Sequence, residues 1–519
     1  MVPTMVSSKS LVRFGLALVI AATLILRFPV ATEIAQAGSS EEDAATLARL
    51  LEAISADRML ADIRTLSAPE FNGRQTGTPD DLASALFVRD RFATIQQSGS
   101  RRTIVDGPAE SGPPISSLQT RPVSFTTIDE RASLRLSLES DERMASIGAD
   151  YLPVLDSPSA HVSAPVVFVG YGIADPERGL NEYEGLDVRG KIVLFLRGKP
   201  EGYARPVSHA EKVNVAKTRG ATAYLTATGP LLTAYESRRG VTGRPSAFYG
   251  QLSPEETIPG AWISTALASA ILAHGREDDR LRSVQQKLNE TGRPQSLVTP
   301  VTATLTWQSI ARTGMLHNVL FLAPGTVDRA QGRTIVIGAH RDHFGRQGGL
   351  LFAGADDNAS GTAVILEVAR VLASAPTAPL RAILFASFSG EEQGLLGSRE
   401  YVAHPPIPLS STMAMINVDH AGAGNGRLTV GVTDLDKQRA HAAGQAAQLE
   451  ERIDLFGFFP GGDHVPFKEA GVPTVTVVSG GIHPQFHQAS DTADTIDPAI
   501  LTAVARYVTT LAWQLATAP

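Results

Sequence analysis

Residues 338–361, GAHRDHFGRQGGLLFAGADDNASG, bring His340, Asp342, Asp356 and Asp357 close together in the chain. Imidazole and carboxylate side chains in company are ligands for a divalent transition metal. The chain has no cysteine. Thiolate nucleophiles, thiolate metal sites and disulfides are therefore excluded, and His, Asp and Glu remain as the strong ligands. Clusters of the same kind recur downstream: Glu391 and Glu392 in SGEEQGLLGS, Asp419 and His420 in INVDH, and His483, His487 and Asp491 in GGIHPQFHQASDT. Taken one at a time, each reads as ordinary solvated polarity or helix capping. Each follows a short apolar run, however, and four such strand ends read together as one metal centre.

The elements that must bring these residues together follow from hydrophobic periodicity. Residues 334–337, 381–388, 413–418 and 474–478 are short, β-branched or apolar runs and predict strands. Helical patterns cover 360–373, a short stretch near Ser398, 434–452 and 498–515. Such alternation predicts an α/β fold, a mainly parallel sheet with helices on both faces. In that arrangement the carboxyl ends of the strands share one edge, where open α/β sheets bind ligands.

Upstream, residues 41–97 read as helical, interrupted by the loop SAPEFNGRQTGTPDD, and 98–114 as a surface linker. From Ala164 to Thr302 the texture changes to short strands with few helices. This predicts a smaller β-rich α/β domain inserted before the strand at Thr334, without clustered His and carboxylate of its own. A length of 519 residues fits two such domains, and 43% hydrophobic with 19% charged residues describes an ordinary globular chain. A net charge of −7 without a basic run excludes a nucleic-acid binder. Lys9 and Arg13 precede an apolar stretch at 14–26, and Ala35-Gln36-Ala37 offers a cleavage site. Residues 1–37 therefore predict a signal peptide and an exported protein, periplasmic or extracellular, with no stable membrane insertion after cleavage. An uncleaved N-terminal anchor is the alternative.

GAHRDHFG, GADDNASG, SGEEQGLLGS, INVDH and FHQASDT, in that order, resemble the five signature segments of the co-catalytic zinc exopeptidase family. That family includes aminopeptidase Y, glutamate carboxypeptidase, glutaminyl cyclase and the transferrin receptor. VVFVGYGI and LDVRGKIVLFLRG resemble its inserted protease-associated domain, and NGRQTGTP the loop before its first sheet strand. The resemblance implies a peptidase domain made of residues 41–130 and 310–519, interrupted by a protease-associated insert at 164–302. It implies two Zn2+ ions per chain, one on His340 and Asp419, the other on Glu392 and His487, with Asp357 bridging both. It further implies Glu391 as general base, Asp342 as the carboxylate orienting His340, and a cis peptide between Asp357 and Asn358. His343, His464 and His483 exceed the ligand count, and Asp463-His464 resembles a segment beside the site.

The implied activity is hydrolysis of peptide N-termini by a metal-bridging hydroxide, formed as Glu391 takes a proton from the bridging water. Three carboxylates leave about one positive charge on two dications, which a hydroxide neutralises. A carboxypeptidase or dipeptidase on the same core is the alternative, with Arg341 or Arg346 to grip a terminal carboxylate. Arg341 stands where many relatives carry an aromatic residue. A non-enzymatic, receptor-like binding protein is the reading from a different class.

Overall fold

The computed structural model describes residues 29–98, 116–139, 141–233, 242–253, 255–273, 279–327 and 333–518. The apolar stretch of the expected signal, nearly all of the expected linker at 98–114 and His274 lie outside the described residues. Among the described residues no helix is long and apolar enough to cross a membrane. The chain divides into a small unit ending at Arg49 and a large one from Leu50 onward. In the small unit the chain is helical from Pro29.

The large unit is built on two eight-stranded sheets. The first comprises β1 (Ser116–Ile128), β2 (Ser309–Ala323), β3 (Thr334–His340), β4 (Ile383–Phe388), β5 (Thr412–Asp419), β6 (Leu428–Thr433), β7 (Ile453–Phe456) and β8 (Thr474–Ser479). Their spatial order is β1-β2-β4-β3-β5-β8-β6-β7. The central strands β4, β3, β5 and β8 are mutually parallel, and every residue of β3 and β4 is buried. Parallel strands covered on both faces are uniformly apolar, which is why TIVIGAH and ILFASF show no alternation. Helices Gly361–Ala373 and Pro498–Thr517 bury most of their residues around this core.

The outer strands depart from the sequence expectation. β1 and β2 form a thirteen-residue antiparallel ladder, Ser116 opposite Phe321 through Ile128 opposite Ser309. Their Ser, Thr and Arg content hides them from a search for apolar runs. The helix expected over 434–452 is confined to Lys437–Ala446, begun by the Asp436 carboxylate accepting from Gln438 N–H. The sequence on either side of it forms β6 and β7, and β6 pairs antiparallel with β8.

The second sheet is assembled from strands between Ser133 and Trp307, so it lies in sequence between β1 and β2. Its centre is the parallel pair Ile192–Leu196 and Ala223–Ala227, with every residue buried. Helix His209–Thr218 is fixed at its start by a reciprocal cap between Ser208 and Glu211. A segment of this part of the chain reaches the first sheet: Ala247 N–H donates to His487 O, and Gln75 Nε2 donates to the Tyr249 hydroxyl.

Candidate metal centre

The four central parallel strands end at one edge, as their shared direction requires. β3 ends in His340, β5 in Asp419, β4 leads into Glu391 and Glu392, and β8 leads into His483 and His487. Asp357 lies in the irregular turn Ala355–Ser360 that precedes helix Gly361–Ala373. The peptide bond between Asp357 and Asn358 is cis, as the family resemblance implies. Gly361 permits the close approach of this turn to β5, since a Cβ there would lie 2.6 Å from Val418 O and 2.4 Å from Asn358 Oδ1.

The two oxygens of Asp357 face two different groups of ligands. Oδ1 lies 3.3 Å from His340 Nε2, which is also 3.3 Å from Asp419 Oδ1. Oδ2 lies 3.1 Å from His487 Nε2, which is 3.4 Å from Glu392 Oε2. Donors about 2.0–2.1 Å from a tetrahedral zinc stand roughly 3.3 Å from one another. The structure thus brings His340, Asp357, Glu392, Asp419 and His487 to separations that two such ions, with Asp357 between them, would set.

The orientation of the imidazoles supports the fit. His340 donates Nδ1–H to Asp342 O at 3.2 Å, and His487 donates Nδ1–H to Ala247 O at 2.8 Å. In neutral rings that leaves the Nε2 lone pairs aimed at carboxylate oxygens, a repulsive arrangement unless a cation lies between. Asp357 Oδ2 is buried without a hydrogen-bond partner. A nitrogen and oxygen donor set without sulfur suits zinc. Burial disfavours charge on Asp357, but the imidazoles of His420, His340 and His487 outweigh it and hold this carboxyl well below the usual range.

Asp342 is placed differently from the simple expectation. Its carbonyl takes the His340 hydrogen bond, while its carboxylate Oδ1 stands 3.6 Å from the same Nδ1 and accepts from Glu391 N–H at 3.3 Å. Burial pushes the Glu391 carboxyl well above its ordinary value; His340 opposes this, and Asp463, Asp419 and Asp357 add to it. Those neighbours place its charge in the same cluster. Burial likewise lifts Asp463 to about 7, and His464 Nε2 donates to Phe459 O at 2.8 Å.

Several residues at the site escaped the sequence reading. His343 donates Nδ1–H to Glu392 Oε1 at 2.6 Å, which leaves Oε2 for the side facing His487. Asp491, read as a helix cap, accepts from Asp356 N–H and Asp357 N–H at 2.8 and 3.1 Å and so fixes the turn that presents Asp357. Burial lifts its carboxyl to about 8. Arg74, in the NGRQTGTP loop, is fully buried, and its guanidinium donates to the carbonyls of Arg341, Leu66, Ala353 and Gly354. It ties the chain after His340 to the chain before Asp356. Its position inside a loop motif was the available signal.

Arg341 needs correction. It is 0% exposed and pairs with Asp81 at 2.6 Å. It is therefore not free to grip a substrate carboxylate. Arg346 is exposed and donates to Asn72 Oδ1 at 2.7 Å.

Residues 318–512 match the sequence profile of peptidase family M28, and residues 162–271 that of the PA domain. The M28 match covers the C-terminal part of the main sheet, and the PA-domain match lies between β1 and β2 of that sheet. Aminopeptidase YwaD of Bacillus subtilis is 36% identical over 28% of this chain and 33% of its own length. A probable glutamate carboxypeptidase, VP8 of Zea mays, is 25% identical over 94% of this chain and 70% of its own length. The solved structure of a zinc aminopeptidase from Bacillus subtilis shares the fold, with a TM-score of 0.59 and 20% identity over 89% of this chain and 95% of that one. The matched region spans about a third to a little over half the length of the first curated relatives.

Proposed function

We propose that the chain is an exported zinc-dependent aminopeptidase that removes residues from the N-termini of peptides. The observation that carries this reading is Asp357, whose two carboxylate oxygens lie 3.3 Å from His340 Nε2 and 3.1 Å from His487 Nε2, each imidazole having a second carboxylate beside it. His340 and Asp419 would hold one zinc, Glu392 and His487 the other, and Asp357 both. Two zinc ions so held supply polarisation of the scissile carbonyl and acidify a water molecule towards neutral pKa.

The remaining work falls to the chain's own groups. The carboxylate of Glu391 takes a proton from the attacking water and returns it to the leaving amine. A carboxyl shifted upward by burial is suited to hold that proton between the two events. Asp342 positions this step from both sides, through its hydrogen bonds with Glu391 N–H and the His340 ring. His343 fixes Glu392, and the Asp491 carboxylate fixes the backbone of Asp357.

Arg341 is engaged with Asp81, which removes one candidate for gripping a C-terminal carboxylate and favours the amino-terminal reading. The same proposal divides the chain into a signal at 1–37, a peptidase domain at 41–130 and 310–519, and a protease-associated insert at 164–302.

The test is an assay of one peptide in free, N-blocked and C-amidated forms with zinc present, product masses being read out. Loss of cleavage on N-blocking alone is expected. Loss on C-amidation alone replaces the reading by a carboxypeptidase. Absence of cleavage across a panel of free peptides, by protein that holds two zinc ions, turns it to a binding protein.

A further inference from the structure

We propose that Asp356, His420 and His483 form a third divalent-metal site, distinct from the two positions that share Asp357. One donor atom from each of the three lies within 4.8 Å of the others. Asp356 Oδ2 is 2.6 Å from His483 Nδ1 and 3.5 Å from His420 Nδ1. The cluster lies one residue from Asp357 and one from Asp419, beside a cavity of about 10 Å³ that Asp357 also lines. Asp356, His420, His483 and Phe486 help to line that cavity. A space of that size holds one small occupant.

The donors are oriented as ligands are. Asp356 uses Oδ1 to accept from Gly422 N–H at 2.7 Å, which leaves Oδ2 for the cavity. His483 donates Nε2–H to Ser479 O at 3.1 Å, so the neutral ring presents an Nδ1 lone pair directly to a carboxylate oxygen. At 2.6 Å such a contact takes a proton between the two atoms, and a cation once His483 draws back. His420 supplies the observation that favours a cation: its Nδ1 is buried and has no hydrogen-bond partner. A proton shared by His483 and Asp356 leaves that nitrogen unsatisfied, at a cost of about 1–3 kcal/mol, whereas a metal satisfies all three donors at once. His420 also holds φ at +44°, a conformation uncommon outside glycine.

Two imidazoles and one carboxylate with a fourth position open are a ligand set for zinc. The Asp356 and His420 donors already stand near the roughly 3.3 Å that zinc imposes on neighbouring donors. His483, on the loop after β8, needs to withdraw by about 0.7 Å to reach the same spacing. His420 Nε2 lies 3.7 Å from Asp357 Oδ2, so a dication here sits beside the bridging carboxylate and competes for its charge. Excess zinc is accordingly expected to slow turnover.

Zinc content after equilibration at a fixed free-zinc concentration tests the site on the full chain, by elemental analysis and native mass spectrometry. The expected result is one equivalent more in the wild type than in the His420→Met/His483→Gln variant. Equal content in the two overturns the proposal. The total that the variant retains reports separately on the centre at Asp357: two equivalents uphold that centre, and fewer question it without bearing on the difference. Should the variant fail to fold, zinc-edge anomalous scattering from wild-type crystals decides. A peak between Asp356 Oδ2 and the two imidazoles supports the site, and its absence with zinc present at Asp357 rejects it.

Discussion

Replacing Asp81 by asparagine probes how the end of β3, and with it His340, is held. Asp81 and Arg341 are both 0% exposed and joined at 2.6 Å. Arg341 further donates to Ser84 Oγ and to the carbonyls of Ser387, Phe388 and His317. Asp81 accepts from Ser389 Oγ at 2.7 Å and from His317 Nδ1 at 2.9 Å. Asparagine is nearly isosteric, so little packing is lost, but a guanidinium is left in the interior without a counter-ion. Removing one partner of a buried pair costs about 3–5 kcal/mol, or about two to four powers of ten in the unfolding constant. Urea unfolding followed by circular dichroism and tryptophan fluorescence measures it; Trp513, in the last helix, reports on the peptidase domain. The cycle is completed with Arg341→Met and the double variant. Because the double variant removes both charges, its cost should fall short of the sum of the single costs by about 2 kcal/mol or more. A cost below about 1 kcal/mol for Asp81→Asn, or simple additivity, refutes the claim that this pair anchors the site.

Glu391→Gln should keep its zinc by elemental analysis while kcat falls by about 10²–10⁴; an unchanged kcat removes Glu391 as the base. Glu367, in the helix that follows Asp357, accepts from Arg58, Arg370 and Ser55 N–H, and Glu367→Gln should cost about 2 kcal/mol. Burial raises the Glu367 carboxyl, but the two arginines outweigh it and the net shift is downward. The stabilisation is therefore complete above the unfolded value of about 4.3 and is lost as pH falls below that towards the lower folded value. The difference between wild type and variant, measured by thermal melts, should shrink over that acid interval and stay constant between pH 6 and 8. A difference that grows on acidification contradicts the pairing.

What was legible in the sequence was local, and what was not was held from far away. His340, Glu392, Asp419 and His487 each sit in a short motif at a strand end, and the parallel order of four strands brings these four together, while Asp357 sits in a short motif before a helix. Asp81 is 260 residues from Arg341, Arg74 is 267 from the Arg341 carbonyl it binds, and Asp491 is 135 from Asp356. No periodicity connects such pairs. From sequence, Arg74 and Asp81 are members of a loop and Asp491 a cap, because charged residues are rarely buried without a partner and the partners are remote in the chain. The antiparallel β1 and β2 were missed for a related reason, since their pairing lies in backbone register and their side chains are largely polar. The same logic accounts for the surplus histidines. A ligand count taken from motifs alone leaves His343, His420 and His483 without work, whereas the folded site gives each a carboxylate: Glu392 for the first, Asp356 for the other two. Three imidazoles beyond the five proposed ligands make this centre richer in nitrogen than the proposed bridging chemistry needs, and the zinc count of the His420→Met/His483→Gln variant is the measurement that separates orientation from ligation.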